Sequence, residues 1–237
     1  MCSKDINIIT IKHSKRSFIV KRIKYFIAAT LLVFSLLLKQ EEHENQVVSS
    51  SYTYKKYVAI TFDDGPHKEY TEILLEGLKQ RNVKATFFLV GKNIEGNEEL
   101  VRRMYEEGHS IGNHTYSHID LKTVNRIKAV EELNKTSELI YKITGIKPRY
   151  IRPPFGTVYK EASINDMTVV MWSVDTRDWE GLNADTIVNN VVDNVKDGDI
   201  ILLHDIFLES VSAAFKIIDK LQQMGFEFVT VEDLIIE

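Results

Sequence analysis

The sequence predicts an α/β protein built on a parallel barrel somewhat short of the eight-fold form, and three observations carry that expectation. From Tyr57 onward, short β-type runs alternate with helical stretches, giving seven strand–helix units in about 180 residues. Several of the runs are apolar on both faces, as strands are when helices cover a parallel sheet on each side. The helical stretches carry single apolar stripes that end at or near glycine. An open doubly wound sheet is the alternative arrangement of the same units.

In chain order, the strand candidates are Tyr57–Phe62, Ala85–Val90, Ser110–Asn113, Tyr150–Arg152, Thr168–Val174, Asp199–Leu203 and Glu227–Thr230. Ile200-Ile-Leu-Leu and Thr168-Val-Val-Met-Trp are the clearest runs with no polar face. Among the helices, Ile127, Val130, Leu133, Ile140 and Ile143 form one stripe, stopped by Gly145. Val211, Ala214, Phe215, Ile218 and Leu221 form another, which ends before Gly225.

The part before this pattern is different in kind. Lys12, Lys15, Arg16, Lys21, Arg22 and Lys24 precede an apolar run from Tyr25 to Leu38, and polar sequence follows at once. Residues 1–38 therefore read as a basic cytoplasmic tail with a signal anchor or signal peptide, and 39–56 as a linker. No small-x-small cleavage site follows Leu38, and extending the span back to Phe18 with snorkelling basic side chains favours an uncleaved, single-pass anchor. The positive charges then keep the N-terminus in the cytoplasm and send residues 57–237 to the extracytoplasmic side. A cleaved, secreted form and a buried amphipathic helix are the alternatives.

Net charge supports this division. The chain carries −4 overall, but residues 1–56 hold ten Lys/Arg against four Asp/Glu, and residues 57–237 hold twenty against thirty. An acidic globular part argues against nucleic acid as a partner, because phosphate binding draws on clustered basic side chains. Cys2 is the only cysteine, so no internal disulfide can form.

The polar residues fall at the ends of the predicted strands. Asp63 and Asp64 follow the first, His114 and His118 the third, Arg152 ends the fourth, Asp175 the fifth and His204 the sixth. In a parallel barrel the C-terminal strand ends converge on one mouth, so residues remote in sequence meet there. Asp63 and Asp64 run directly into Gly65-Pro66; alone, Asp-Gly also fits an ordinary surface turn. His114 and His118 are spaced i, i+4, which suits two imidazoles on one ion, although such a pair is often incidental. Two histidines and a carboxylate with open positions make a catalytic metal site. His13, His43, His67 and His109 are expected outside the chemistry, His67 in a loop and His109 in a strand or turn.

Five segments, Thr61-Phe-Asp-Asp-Gly65, His114-Thr-Tyr-Ser-His118, Arg152-Pro-Pro-Phe-Gly156, Asp175-Thr-Arg-Asp-Trp179 and Leu202-Leu-His204, stand in the order of motifs in one family. Through them the chain resembles the polysaccharide deacetylases of the NodB-homology type, carbohydrate esterase family 4, over nearly all of 57–237. The resemblance implies a distorted (β/α)7 barrel forming a single catalytic domain, expected to be monomeric. It implies Asp63 as general base, oriented by Arg152, and Asp64, His114 and His118 as ligands of one divalent ion, Zn²⁺ or one like Co²⁺. It implies an oxyanion contact from the backbone N–H of Phe155, walls from Trp179 and Leu202, and support by Asp175 for His204, the acid that protonates the leaving amine. Phe155 stands where the family usually has tyrosine, and the stretch from Thr157 to Asp166 is shorter than in many relatives.

The expected activity is metal-dependent release of acetate from N-acetylglucosamine units of a polysaccharide, peptidoglycan foremost because of the anchor. An O-acetyl esterase acting on glycans such as xylan uses the same site. A binding protein with a dead site is disfavoured because base, acid and ligands are all present, and a metallonuclease is disfavoured by the acidic domain.

Overall fold

The computed structural model describes residues 21–40, 54–157 and 163–236. The predicted basic residues up to Arg16, Cys2, most of the linker and the core of the shortened stretch after Thr157 lie outside these residues. Two units are separable, Met1–Tyr54 and Lys55–Glu237. In the first, helix α1 (Lys21–Gln40) is twenty residues long, and no part of its apolar surface is covered. At ~1.5 Å per residue its length of about 30 Å matches a bilayer's hydrocarbon core.

The second unit is a curled, almost wholly parallel sheet with helices outside it. Its strands are β1 (Lys56–Asp63), β2 (Thr86–Leu89), β3 (Ser110–Asn113), β4 (Tyr150–Ile151), β5 (Ser163–Ile164), β6 (Met167–Val169), β7 (Val174–Asp175), β8 (Asp199–His204) and β9 (Phe226–Val229). They are ordered β5-β6-β4-β3-β2-β1-β8-β7, with β9 beside the first half of β1; only β5–β6 is antiparallel. Its helices are α2 (Tyr70–Gln80), α3 (Gly91–Ile94), α4 (Glu98–Glu106), α5 (Arg126–Thr144), α6 (Ala184–Val192), α7 (Leu208–Gln223) and α8 (Val231–Ile236).

The strand expected over Thr168–Val174 is broken in two. β6 pairs with β4 and β7 with β8, so one bent segment reaches both ends of the sheet. The residues between them leave the ladder, and this bend distorts the seven-fold barrel. Residues 58–62 of β1 are buried without exception, which is why that strand has no polar face. The Phe62 and Phe87 rings stack at 5.4 Å between β1 and β2.

α7 buries Val211, Ala214, Ile218 and Leu221 as its stripe predicts. α5 corrects its own. Ile127 is 83% exposed, and the buried face is Ala129, Glu132, Leu133, Thr136, Ser137 and Ile140. That face mixes polar and apolar residues, so an apolar stripe could not reveal it. The helix ends as expected at Gly145, where φ is 76° and the N–H donates to the Tyr141 carbonyl.

Sheet register places the polar residues. Asp63 is the Cα partner of His204 across β1–β8, Asp175 that of Leu202 across β7–β8, and Asn113 that of Ile151 across β3–β4. The C-terminal strand ends thus form one rim.

Candidate active site

A cavity of about 450 Å³ opens at this rim, lined by residues that include Asp63, Asp64, His114, His118, Trp179 and His204. Phe155, Asp175 and Leu202 line it as well, together with Trp172, which sequence reasoning did not single out.

Asp64, His114 and His118 lie together, with one ligand atom from each within 4.8 Å of the others. Nε2 of His114 is 3.4 Å and Nε2 of His118 is 3.1 Å from Asp64 Oδ1. His114 Nδ1 is 2.6 Å from the Arg152 carbonyl oxygen, which can only accept, so Nδ1 carries the proton. The Nε2 lone pair then faces Asp64, whose buried Oδ1 has no hydrogen-bond partner. A cation among these atoms resolves this contact of acceptor with acceptor, so the donor set fits a divalent metal. Burial opposes ionisation of Asp64, but the two imidazoles outweigh it and hold the carboxyl well below its ordinary range.

The backbone bends sharply to achieve this. Asp64 (φ 74°), Thr115 (φ 64°), His118 (φ 58°) and Phe155 (φ 61°) are all in the left-handed region that side chains disfavour. Gly65 beside Asp64 has a different reason to be glycine: a Cβ there would collide with the carboxylate of Asp205.

Asp63 is buried beside this cluster, its Oδ2 3.9 Å from His114 Nε2. Its Oδ1 accepts a hydrogen bond of 2.8 Å from Arg152 Nη1. Arg152 is fully buried, and Nη1 also donates to Thr61 Oγ1 at 2.7 Å, Nε to the Val170 carbonyl and Nη2 to the Met171 carbonyl. The guanidinium lies 4.2 Å from the Phe88 ring centroid. Burial disfavours the Arg152 cation and lowers its pKa, while Asp63 opposes that change. A cation fixed on so many acceptors leaves Asp63 little freedom to turn.

The partner of His204 is Asp178, which corrects the expectation for Asp175. Asp178 is buried; its Oδ1 is 2.8 Å from His204 Nδ1, and its Oδ2 accepts from the His204 backbone N–H at 2.7 Å. Asp175 is exposed and accepts instead from the Arg177 N–H at 2.9 Å. The cause is the turn after β7. Arg177 takes φ 58°, swinging Asp178 inward, while Asp175 closes the turn over its own backbone. Burial works against the imidazolium, but Asp178, with the charges of Asp63 and Asp64, prevails and raises His204 to about 9. His204 is therefore cationic at neutral pH.

Trp179 and Phe155 are exposed at 55% and 69%, so both offer aromatic faces to a ligand, while Leu202 lines the cavity as a buried side chain. The Phe155 ring sits edge-on to His118 at 4.7 Å. Two further groups escaped the sequence. Asp205 is wholly buried, accepts from the Thr71 hydroxyl and is pushed up to about 7 by burial. Glu132 binds the loop that carries His118. Of the other histidines, His13 and His43 lie outside the described residues, and His67 and His109 do structural work. His67 Nδ1 accepts from the Glu69 and Tyr70 N–H groups at the start of α2, and buried His109 accepts from Ala85 N.

Fold and site together define a parallel-barrel hydrolase with a candidate Asp/His/His metal centre flanked by a carboxylate and an imidazolium. Comparison with known sequences is specific: the family model for "Polysaccharide deacetylase" matches residues 50–170. The chain belongs to the polysaccharide deacetylase family. It is 46% identical over 188 residues to a Bacillus cereus protein named peptidoglycan-N-acetylglucosamine deacetylase, covering 76% of this chain and 68% of that one. PdaC of Bacillus subtilis, named a peptidoglycan-N-acetylmuramic acid deacetylase, is 37% identical over 83% of this chain and 44% of its own length. A solved PdaC structure matches with TM-score 0.74 and 40% identity, covering 76% of this chain and 90% of that one. A Bacillus anthracis protein described as a CE4 family pseudoenzyme matches with TM-score 0.71 and 31% identity, covering 77% and 66%. The fold therefore hosts an inactive protein too, and activity has to be argued from the side chains.

Proposed function

We propose that this chain removes N-acetyl groups from N-acetylglucosamine units of peptidoglycan, releasing acetate and leaving the free amine on the sugar. The observation that carries the reading is the juxtaposition of a buried carboxylate and an imidazole at the cavity. Asp63 and His204 are register partners on neighbouring strands, beside the Asp64, His114 and His118 cluster. Amide hydrolysis needs both, since water must lose a proton and the departing nitrogen must gain one.

Asp64, His114 and His118 would hold the divalent ion, with zinc the best fit to two imidazoles and a carboxylate. When bound, the ion supplies Lewis acidity that polarises the acetyl carbonyl and makes water acidic enough to attack at neutral pH. Asp63 accepts the proton of the attacking water, with Arg152 fixing the carboxylate's direction. The Phe155 N–H helps stabilise the negative charge that develops on the carbonyl oxygen. His204 donates its Nε2 proton to the amine as the C–N bond breaks, and Asp178 holds its ring and keeps it charged. Trp179 and Leu202 form apolar walls for the acetyl methyl group and the sugar.

Peptidoglycan is favoured by the relatives' names and by α1, which would hold the catalytic unit at the outer face of a membrane. Acetate release tests the substrate: N-acetylglucosamine oligomers and peptidoglycan are expected to be cleaved well, and O-acetylated xylan poorly. Faster release from xylan would move the assignment to an O-acetyl esterase. The anchor predicts that the full chain stays in alkali-washed membranes. Recovery in the soluble fraction with residues 1–38 intact would contradict it.

A further inference from the structure

The loop carrying His114 and His118 has two left-handed residues, Thr115 and His118, so something outside the loop must hold it in place. Its first part is tied down from several directions. Asn113 Oδ1 accepts from Thr115 N at 2.8 Å, while Asn113 Nδ2 donates to the Leu133 carbonyl and to Ser137 Oγ on α5. Gly91 N and Lys92 N donate to the carbonyls of Thr115 and Tyr116 at 2.9 Å each. The second part, which leads into His118, is held by Glu132. One carboxylate oxygen of that residue, Oε2, accepts from both Ser117 N and Ser117 Oγ at 2.8 Å.

Glu132 is 5% exposed and lies on the buried face of α5, where an ordinary helix would carry an apolar side chain. Its other oxygen, Oε1, faces Lys128 Nζ at 3.3 Å, one turn earlier on the same helix. A buried carboxylate is costly unless each oxygen has a partner, and here the partners are the loop and a flanking lysine. Among its neighbours in the loop, only Ser117 bonds it, immediately before His118.

We propose that Glu132 is a positioning residue for the metal centre, fixing the Ser117 backbone so that His118 presents Nε2 toward Asp64. It touches no ligand atom and acts through the chain. The inference rests on the reading of Asp64, His114 and His118 as metal ligands, and it reaches a residue on α5, fourteen positions after His118. Outer-sphere partners of ligating histidines typically contribute about 10- to 100-fold in metal affinity. An anchor acting one residue away should fall near the lower figure.

The test is zinc affinity of the purified full chain, measured by competition with a chromophoric chelator, with the visible spectrum of the cobalt-loaded protein as a second readout. Glu132→Ala is expected to bind zinc about 10-fold more weakly and to show an altered cobalt spectrum, because the ligand geometry changes. Glu132→Gln keeps an oxygen acceptor for Ser117 and should recover most of the affinity. Glu131→Ala, next to it on the exposed face, should match the unaltered protein. Unchanged zinc affinity and cobalt spectrum in Glu132→Ala would overturn the proposal while leaving the metal site standing. Failure of the unaltered chain to bind zinc would instead overturn the metal reading itself. If Glu132→Ala does not fold, Ser117→Ala decides: it removes half of the same contact, and affinity equal to that of the unaltered protein overturns the proposal.

Discussion

Asp63→Asn is expected to keep its zinc and to release acetate about 10²–10⁴-fold more slowly, the usual contribution of a general base. The asparagine retains an oxygen for the 2.8 Å bond from Arg152 but cannot take a proton from water. Asparagine is the informative substitution because Arg152 is buried completely, and stripping a buried cation of its partner costs about 3–5 kcal/mol in stability. Thr61 Oγ1 and the carbonyls of Val170 and Met171 continue to hold the guanidinium in the variant. Asp64→Ala gives the contrast. It removes the one anionic ligand, so zinc and activity should disappear together. Zinc content and acetate release measured on both proteins separate the roles. Equal loss of zinc in the two would show that the adjacent aspartates had been assigned wrongly.

Asp178→Asn is expected to move the alkaline limb of kcat/KM to lower pH by about two units, while Asp175→Asn leaves it in place. The sign follows from the charge. His204 is raised to about 9, so an acid of this kind is protonated and active below that pH and is lost as pH rises through it. Without the Asp178 carboxylate, burial opposes the cation and only the charges of Asp63 and Asp64 still favour it, so the group falls back toward the ordinary imidazole value of about 6.5. Well above the displaced limb the variant should be down about 100-fold, since each unit is tenfold. A shift in Asp175→Asn with none in Asp178→Asn would reverse the correction drawn from the structure.

These two sites show what the sequence discloses and what it hides. Asp63, His114, Arg152 and His204 could be read as a cluster because each terminates or follows a strand, and parallel strands end together. Asp175 and Asp178 could not be told apart. Both lie in one short segment after β7, and the choice depends on the φ of Arg177, which no apolar pattern encodes. The break in the strand expected over Thr168–Val174 is hidden for a related reason. Five of its seven residues, Val169, Val170, Met171, Trp172 and Val174, are apolar, but the run breaks between β6 and β7 so that the segment can reach both ends of the sheet. Glu132 was hidden by the assumption that a helix buries only apolar residues. It sits three residues after Ala129 and one before Leu133 on the same face, and what makes it acceptable there is a loop distant in sequence.

The proposed activity requires a divalent ion between Asp64, His114 and His118, and its most direct test is acetate release from peptidoglycan by the full chain before and after metal removal. Protein verified as metal-free should release none, and one equivalent of Zn²⁺ per chain should restore the rate. Full activity in the metal-free protein would contradict a metal-dependent mechanism.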